Sequence, residues 1–273
     1  MSNKPRRVVL IGCGGIGTWL GHGLAKALQF QAPGSVMFLI DGDTFEPKNA
    51  QRQQFSHPGN KAHVLAEDIQ HSNPSVFVIP RAAWIVNSEV ANDTPEEDSD
   101  DGSIVVAKIT AESILEENDL VYVCVDNHSA RKLIFDAAKN YENIDVFTGG
   151  NNSVEDPDPM FGSVYHYRRR DGQDITLPPG FFHPEIEHPT DKNPGELSCQ
   201  ERAELDGGTQ LLSVNMGVAS FLLAKTAHAV FGSPEEDKSA MEKAEIYFDL
   251  AEGLSQPYDR RAVHASVDVE VNA

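Results

Sequence analysis

The stretch Arg7-Val-Val-Leu-Ile-Gly-Cys-Gly-Gly-Ile-Gly17 decides the fold. Arg7 to Ile11 is apolar and β-branched after its first residue, as a buried parallel strand requires. It runs directly into GxGxxG (Gly12, Gly14, Gly17, with Gly15 as an extra glycine), and Thr18 to about Leu28 then reads as a helix. Strand, glycine loop and helix in that order make a nucleotide-binding turn. The glycines permit a tight turn and close backbone approach, and the helix N-terminus offers free N–H groups to a phosphate. Glycines that only ease strand–helix packing would have the same spelling, so neighbouring segments must decide.

The next apolar run, Val36 to Ile40, ends in Asp41-Gly-Asp-Thr-Phe-Glu-Pro-Lys-Asn-Ala-Gln-Arg-Gln53. A strand end opening into such a polar loop is where open α/β sheets bind ligands. An acid can hold a ribose or a metal, an amide a phosphate oxygen, and an arginine a polyphosphate. Asp119 to Val125 is a further apolar strand, ending in Asp126-Asn-His-Ser-Ala-Arg131 with a helix to about Asn140. Strands ending at Gly12, Asp41 and Asp126 put the glycine loop and two carboxylates on one sheet edge. That suits a nucleotide with Mg²⁺, Asp126 holding the metal. The competing role for Asp126 is an N-cap.

The remaining elements give an α/β fold: a Rossmann-like, mostly parallel sheet with helices on both faces and antiparallel strands added in the C-terminal part. Lys61 to Gln70 reads as a helix, Val76 to Ile79 as a strand, Ser88 to Ser103 as an acidic mobile insertion, and Thr110 to Glu117 as a short helix. Asp145 to Gly150 and Gly162 to Arg170 are strands, the second antiparallel. Phe181 to Gln210 is a crossover loop, Leu211 to Phe231 a buried or interface helix, and Glu245 to Leu250 the last strand before a loosely held polar tail. His183, Glu185, Glu187 and His188 read as a polar loop, and Trp19 and Trp84 as core or interface anchors.

With 22 Lys and Arg against 42 Asp and Glu, the net charge is -20. A nucleic-acid surface or an anionic membrane needs the opposite sign, so neither is expected as a partner. Three scattered cysteines, Cys13, Cys124 and Cys199, form neither a disulfide framework nor a CxxC zinc site. Cys13 and Cys124 read as packing residues. The N-terminal apolar run enters the glycine loop at once, which is not a signal-peptide pattern, so the expected compartment is the cytoplasm.

Together, GCGGIG (Gly12 to Gly17), DGDTFEPKNAQRQ (Asp41 to Gln53), NKA (Asn60 to Ala62), VCVDNHSAR (Val123 to Arg131) and the late helix resemble the ThiF/MoeB family of adenylating enzymes, which includes the ubiquitin-activating enzymes. Within that family the chain resembles the PRTRC-system ThiF-like subgroup. The resemblance implies one domain over 1–273, with 1–150 as nucleotide-binding half and 151–273 as antiparallel extension, crossover loop and late helix. It implies ATP and Mg²⁺ as cofactors, a homodimer, and adenylation of the C-terminal glycine carboxylate of a small ubiquitin-fold protein. Carried over by motif, Asp41 holds the ribose, Asn49, Arg52 and Lys61 hold the phosphates, Asp126 binds the metal, and Asp43 and Asn127 line the nucleotide beside the four glycines. Cys199, in the crossover loop, stands where the family places a thioester-forming cysteine.

Three departures accompany the resemblance. The Arg52-to-Lys61 spacing is shorter than the family's, a helix that supplies a trans arginine is not seen before the first strand, and Glu196, Glu201 and Glu204 surround Cys199. The first two keep a second reading open, a non-catalytic module that binds nucleotide and partner, and the third gives the Cys199 thiol nothing to lower its pKa. A third, an NAD-dependent oxidoreductase, explains the glycines and Asp41 but gives Asn49, Arg52 and Asp126 no work.

Overall fold

In the computed structural model, which describes residues 4–92, 104–197 and 209–262, the short apolar runs become strands and the longer periodic ones helices. In chain order these are β1 (Arg7–Ile11), α1 (Gly15–Gln31), β2 (Val36–Ile40), β3 (Thr44–Phe45), β4 (Gly59–Asn60), α2 (Lys61–Ser72), β5 (Phe77–Arg81), β6 (Ala83–Ile85), β7 (Ala107–Ile109), β8 (Leu120–Val123), α3 (His128–Ala138), β9 (Ile144–Asn151), β10 (Phe161–Arg170), β11 (Gln173–Asp174), α4 (Pro184–Glu187), α5 (Leu212–Phe231), α6 (Pro234–Glu242), β12 (Glu245–Asp249) and β13 (Leu254–Tyr258).

The main sheet has the order β13-β12-β10-β9-β8-β1-β2-β5, with β11 paired to β10. β5, β2, β1, β8 and β9 are parallel, each strand carried back by a crossover. β10, β12 and β13 are antiparallel additions. The sheet is therefore the mixed α/β sheet expected. Both end strands carry a proline, Pro80 in β5 and Pro257 in β13. A residue without an N–H is tolerated at an edge and discourages further strand pairing there.

One core lies under α1, α2 and α5, around Leu10, Leu20, Leu65 and Val218. The other lies on the opposite face under α3, around Val9, Val121, Ile134 and Tyr167. α5 is long and apolar enough to cross a membrane by composition. In this fold it packs along α1 and the sheet, burying Val214, Asn215, Val218, Leu222 and Lys225.

Several elements differ from the sequence reading. Thr110 to Glu117 forms only a single 3-10 turn, Ala111–Ser113. The Ser113 hydroxyl donates to the Thr110 carbonyl, and the Asp119 carboxylate accepts the Glu116 N–H, so local side-chain bonds take the place of a helical ladder. β6 and β7 form a small parallel ladder that three-residue runs do not announce. α6 follows α5 and is opened by a capping box, Ser233 with Glu236. Glu245 to Leu250 is not the last strand: β13 pairs with it through Tyr258, and Arg260 and Arg261 are tied to Glu245 and Glu242. Most of the acidic insertion, the 93–103 stretch, lies outside the described residues, as does Cys199.

Candidate nucleotide site

The carboxyl ends of β1, β2 and β8 open into one cavity of about 1090 Å³, lined by the glycine loop, Asp41, Asp43, Asn49, Arg52, Lys61, Asp126 and Asn127. Gly12 sits at φ +89, a conformation costly for any side chain, and a Cβ on Gly17 would lie 1.9 Å from the Gly12 carbonyl oxygen. Gly14 is the N-cap of α1 and supplies no side-chain cap, so the N–H groups of the first turn face the cavity end of the helix. The glycine loop is shaped by backbone demands that other residues could not meet.

Asp41 is almost fully buried. One carboxylate oxygen accepts the Cys13 N–H at 2.7 Å and the other the Asp43 N–H at 2.7 Å, which locks β2 to the glycine loop. Burial pushes its pKa up to about 6, while the Lys61 ammonium works against that rise. Lys61 is also buried, with Nζ 2.7 Å from an Asp43 carboxylate oxygen. Burial works to lower its pKa, but Asp41, Asp43 and Asp126 outweigh it, and the ammonium is held charged. Asn60 ties this group together: its Oδ1 accepts the Ala62 and His63 N–H groups at the start of α2, and its Nδ2 donates to the Asp41 and Asp43 carbonyls.

The loop after Asp43 turns through Pro47–Asn49. An Arg52 guanidinium nitrogen donates to Asn49 Oδ1 at 3.1 Å, while α1 holds the loop from behind: Trp19 Nε1 donates to the Arg52 carbonyl and Thr18 Oγ1 to the Gln54 carbonyl. Trp84, on β6, lies against Gly42.

Asn127, not Asp126, is the N-cap of α3, its Oδ1 accepting the Ala130 N–H at 2.7 Å. The Asp191 carboxylate takes the two preceding N–H groups, those of His128 and Ser129. Asp126 is exposed in the cavity wall and, among the described residues, carries no hydrogen bond or ion pair. Its oxygens thus suit a hard cation. No group of three His, Cys, Asp or Glu that could hold a metal occurs among the described residues. A Mg²⁺ ion fits on other grounds, because it commonly takes one or two carboxylates and fills its shell with phosphate and water oxygens.

Sequence reasoning did not assign Arg131, which lines the cavity next to these groups. It donates to the Val125 and Gly149 carbonyls, bridging the ends of β8 and β9, and burial lowers its pKa. It closes the VCVDNHSAR stretch, and its i+4 spacing from Asn127 on α3 was the available signal. Farther along the same cavity lie Tyr165, His183, Glu185 and Glu245. His183 Nε2 is 2.6 Å from Glu245, a pairing across 62 residues that no local pattern betrays. Cys13 and Cys124 are buried, and burial raises both thiols, Cys124 to about 12, so they are packing groups and not nucleophiles.

The ThiF family model matches residues 3–155. Among curated proteins, the adenylyltransferase and sulfurtransferase uba4 of Aspergillus clavatus and that of Aspergillus fumigatus are each 29% identical over 140 residues, which is 50% of this chain and 23% of theirs. The chain thus spans about a quarter of the length of the curated relatives it matches. Among solved structures, PaaA superposes with a TM-score of 0.57 at 16% identity, covering 94% of this chain and 64% of that one. MccB of E. coli with ATP gives 0.56 at 16% identity, and MccB with AMPCPP and the MccA peptide gives 0.56 at 17%, each covering 94% of this chain and 64% of MccB. At these identities the likeness is one of fold.

Proposed function

Since this chain belongs to the ThiF family, we propose that it is an ATP-dependent adenylyltransferase acting on the terminal carboxylate of a small protein, the C-terminal glycine of a ubiquitin-fold partner. The observation that carries the reading is a single cavity lined by the glycine loop, Asp41, Asn49, Arg52, Lys61 and Asp126. An acceptor carboxylate is already an anion, so the reaction needs no general base. What it needs is alignment with the α-phosphate and neutralisation of phosphate charge. The α1 N-terminus and the Arg52 and Lys61 cations supply both. Asp41 accepts from the ribose, and Asn49, bonded to Arg52, orients that guanidinium. Magnesium held at Asp126 would add charge neutralisation where negative charge develops. The proposal extends to a homodimer in the cytoplasm and to thioester formation at Cys199, since Cys13 and Cys124 are buried packing groups.

A second reading is favoured by one contact. Lys61 is already bonded to Asp43, so in a non-catalytic nucleotide-binding module that pair would stay closed. ATP–pyrophosphate exchange separates the two, measured with a panel of ubiquitin-fold proteins ending in glycine. Acceptor-dependent exchange is expected. ATP binding without exchange for any member of the panel would favour the module.

A further inference from the structure

We propose that Asp191 is a positioning residue for the metal site. Through the first turn of α3 it sets where Asp126 stands, and it is one end of a strap, Asp191 to Gly195, that ties the Asp126 side of the cavity to the Asp41 side. This rests on the adenylating reading above, with magnesium at Asp126.

The helices α1 and α3 begin in opposite ways. α1 starts without a side-chain cap. At α3 each of the first four N–H groups is taken. The Asp191 carboxylate accepts those of His128 and Ser129, Asn127 Oδ1 accepts that of Ala130, and the Asn127 carbonyl accepts that of Arg131. Unpaired N–H groups at a helix start are what an anion binds, so a phosphate belongs at α1, and the start of α3 serves as a mount. Ser129 Oγ strengthens the joint, lying 2.6 Å from the Asp191 carbonyl oxygen and 2.9 Å from its carboxylate. Farther along α3, Lys132 Nζ stands 3.3 Å from the Glu187 carboxylate on α4. A carboxylate at a helix N-terminus also suits the helix dipole. Asp126 carries no hydrogen bond or ion pair of its own among the described residues, so its place is set by what holds the residues that follow it.

The same short segment then reaches the opposite wall. Buried Asn193 donates from Nδ2 to the Ile85 carbonyl at 2.8 Å, and its Oδ1 accepts the Gly195 N–H at 3.0 Å. Gly195 is pressed against Trp84, where an added Cβ would lie 2.5 Å from the Trp84 Cβ, and the Trp84 ring covers Gly42 beside Asp41. Asn193 and Pro194 line the cavity between the two walls. Asp41 and Asp126 follow β2 and β8, with β1 between them, two strand spacings or roughly 10 Å apart. Both residues lie past the strand ends, where the sheet no longer fixes the gap and the strap does. Mg²⁺ demands near-ideal octahedral geometry, so a loosened mount weakens metal binding before it weakens nucleotide binding.

The probe is Mn²⁺, its free concentration read by electron paramagnetic resonance with the full chain and a non-hydrolysable ATP analogue. Calorimetry measures binding of the analogue in EDTA. Asp191→Ala should weaken Mn²⁺ binding in the ternary complex about 10-fold, a difference of about 1.4 kcal/mol, with analogue affinity in EDTA nearly the same. Asp191→Asn keeps the volume and a neutral acceptor oxygen, so it should lose about 3-fold and serves if the alanine variant does not fold. Ser233→Ala removes the cap of α6, no residue of which lines the cavity, and controls for lost stability. It should lower the melting temperature and leave Mn²⁺ affinity alone. Mn²⁺ affinity unmoved by the Asp191 variants, lowered as much by Ser233→Ala, or lowered together with an equal loss in EDTA would overturn the proposal. So would a wild type that binds the analogue but no Mn²⁺. Failure of the analogue itself to bind the wild type is the separate result that sinks the adenylating reading.

Discussion

Asp41 is a carboxylate placed where its charge is expensive. It is buried against the glycine loop, holds two backbone N–H groups, and has a pKa of about 6 against an ordinary 3.8. The folded protein therefore binds a proton there, between those values, that the unfolded chain does not. The contribution of this group to stability is present below the ordinary value and is lost as pH rises through about 6. A destabilised acid lining a cavity is the usual signature of a functional group. If Asp41 accepts from a ribose hydroxyl, nucleotide affinity should fall as pH drops through about 6, because the protonated acid loses acceptor strength. The expected outcome is an ATP dissociation constant that rises several-fold between pH 7.5 and 5.5. Part of that rise belongs to the phosphates. Calorimetry on Asp41→Asn isolates the rest: the variant should bind more weakly at pH 7.5 and show a shallower pH profile. An identical profile in wild type and variant would remove Asp41 from the site.

α3 shows how one helix end divides its work between neighbouring residues. Asn127 caps the helix, Asp191 takes the next two N–H groups, and Asp126 is left exposed in the cavity wall. Asn127→Ala should therefore cost about 1 kcal/mol and lower the melting temperature by roughly 2–4 °C. Asp126→Ala should leave melting unchanged and abolish pyrophosphate exchange. If Asp126→Ala melted as low as Asn127→Ala and kept its exchange, the metal assignment would be wrong. The same end explains what the sequence could and could not tell. Adjacent Asp126 and Asn127 are both good caps, and only the path of the chain decides between them. β1, β2 and β8 were legible because each is a short apolar run ending in a punctuating glycine or acid. α6 is marked in the sequence by Ser233-Pro-Glu-Glu236, which spells a capping box, but its nine residues are mostly polar and give little apolar periodicity beside the long α5. β6 pairs with β7 across more than twenty residues, and His183 meets Glu245 across 62. Contacts of that range depend on the completed sheet and leave no local periodicity to read.

At the scale of the molecule, charge is the feature that the cavity does not explain. The chain carries -20, yet the groups assigned to phosphate are a small basic set, Arg52 and Lys61, sheltered in a cavity. Within about 10 Å at 0.1 M salt those local cations govern what a bound ligand feels. Beyond that distance the summed acidic field governs what approaches. The field repels acidic macromolecules and draws in a partner with a basic face, and it acts on encounter more than on the lifetime of the complex. A ubiquitin-fold acceptor identified by exchange should accordingly associate at least about 10-fold more slowly at 300 mM than at 20 mM NaCl, with a dissociation rate that changes little. Stopped-flow mixing over that salt range measures both constants. An association rate that stays flat would show that the acidic surface only solvates the protein and takes no part in choosing its acceptor.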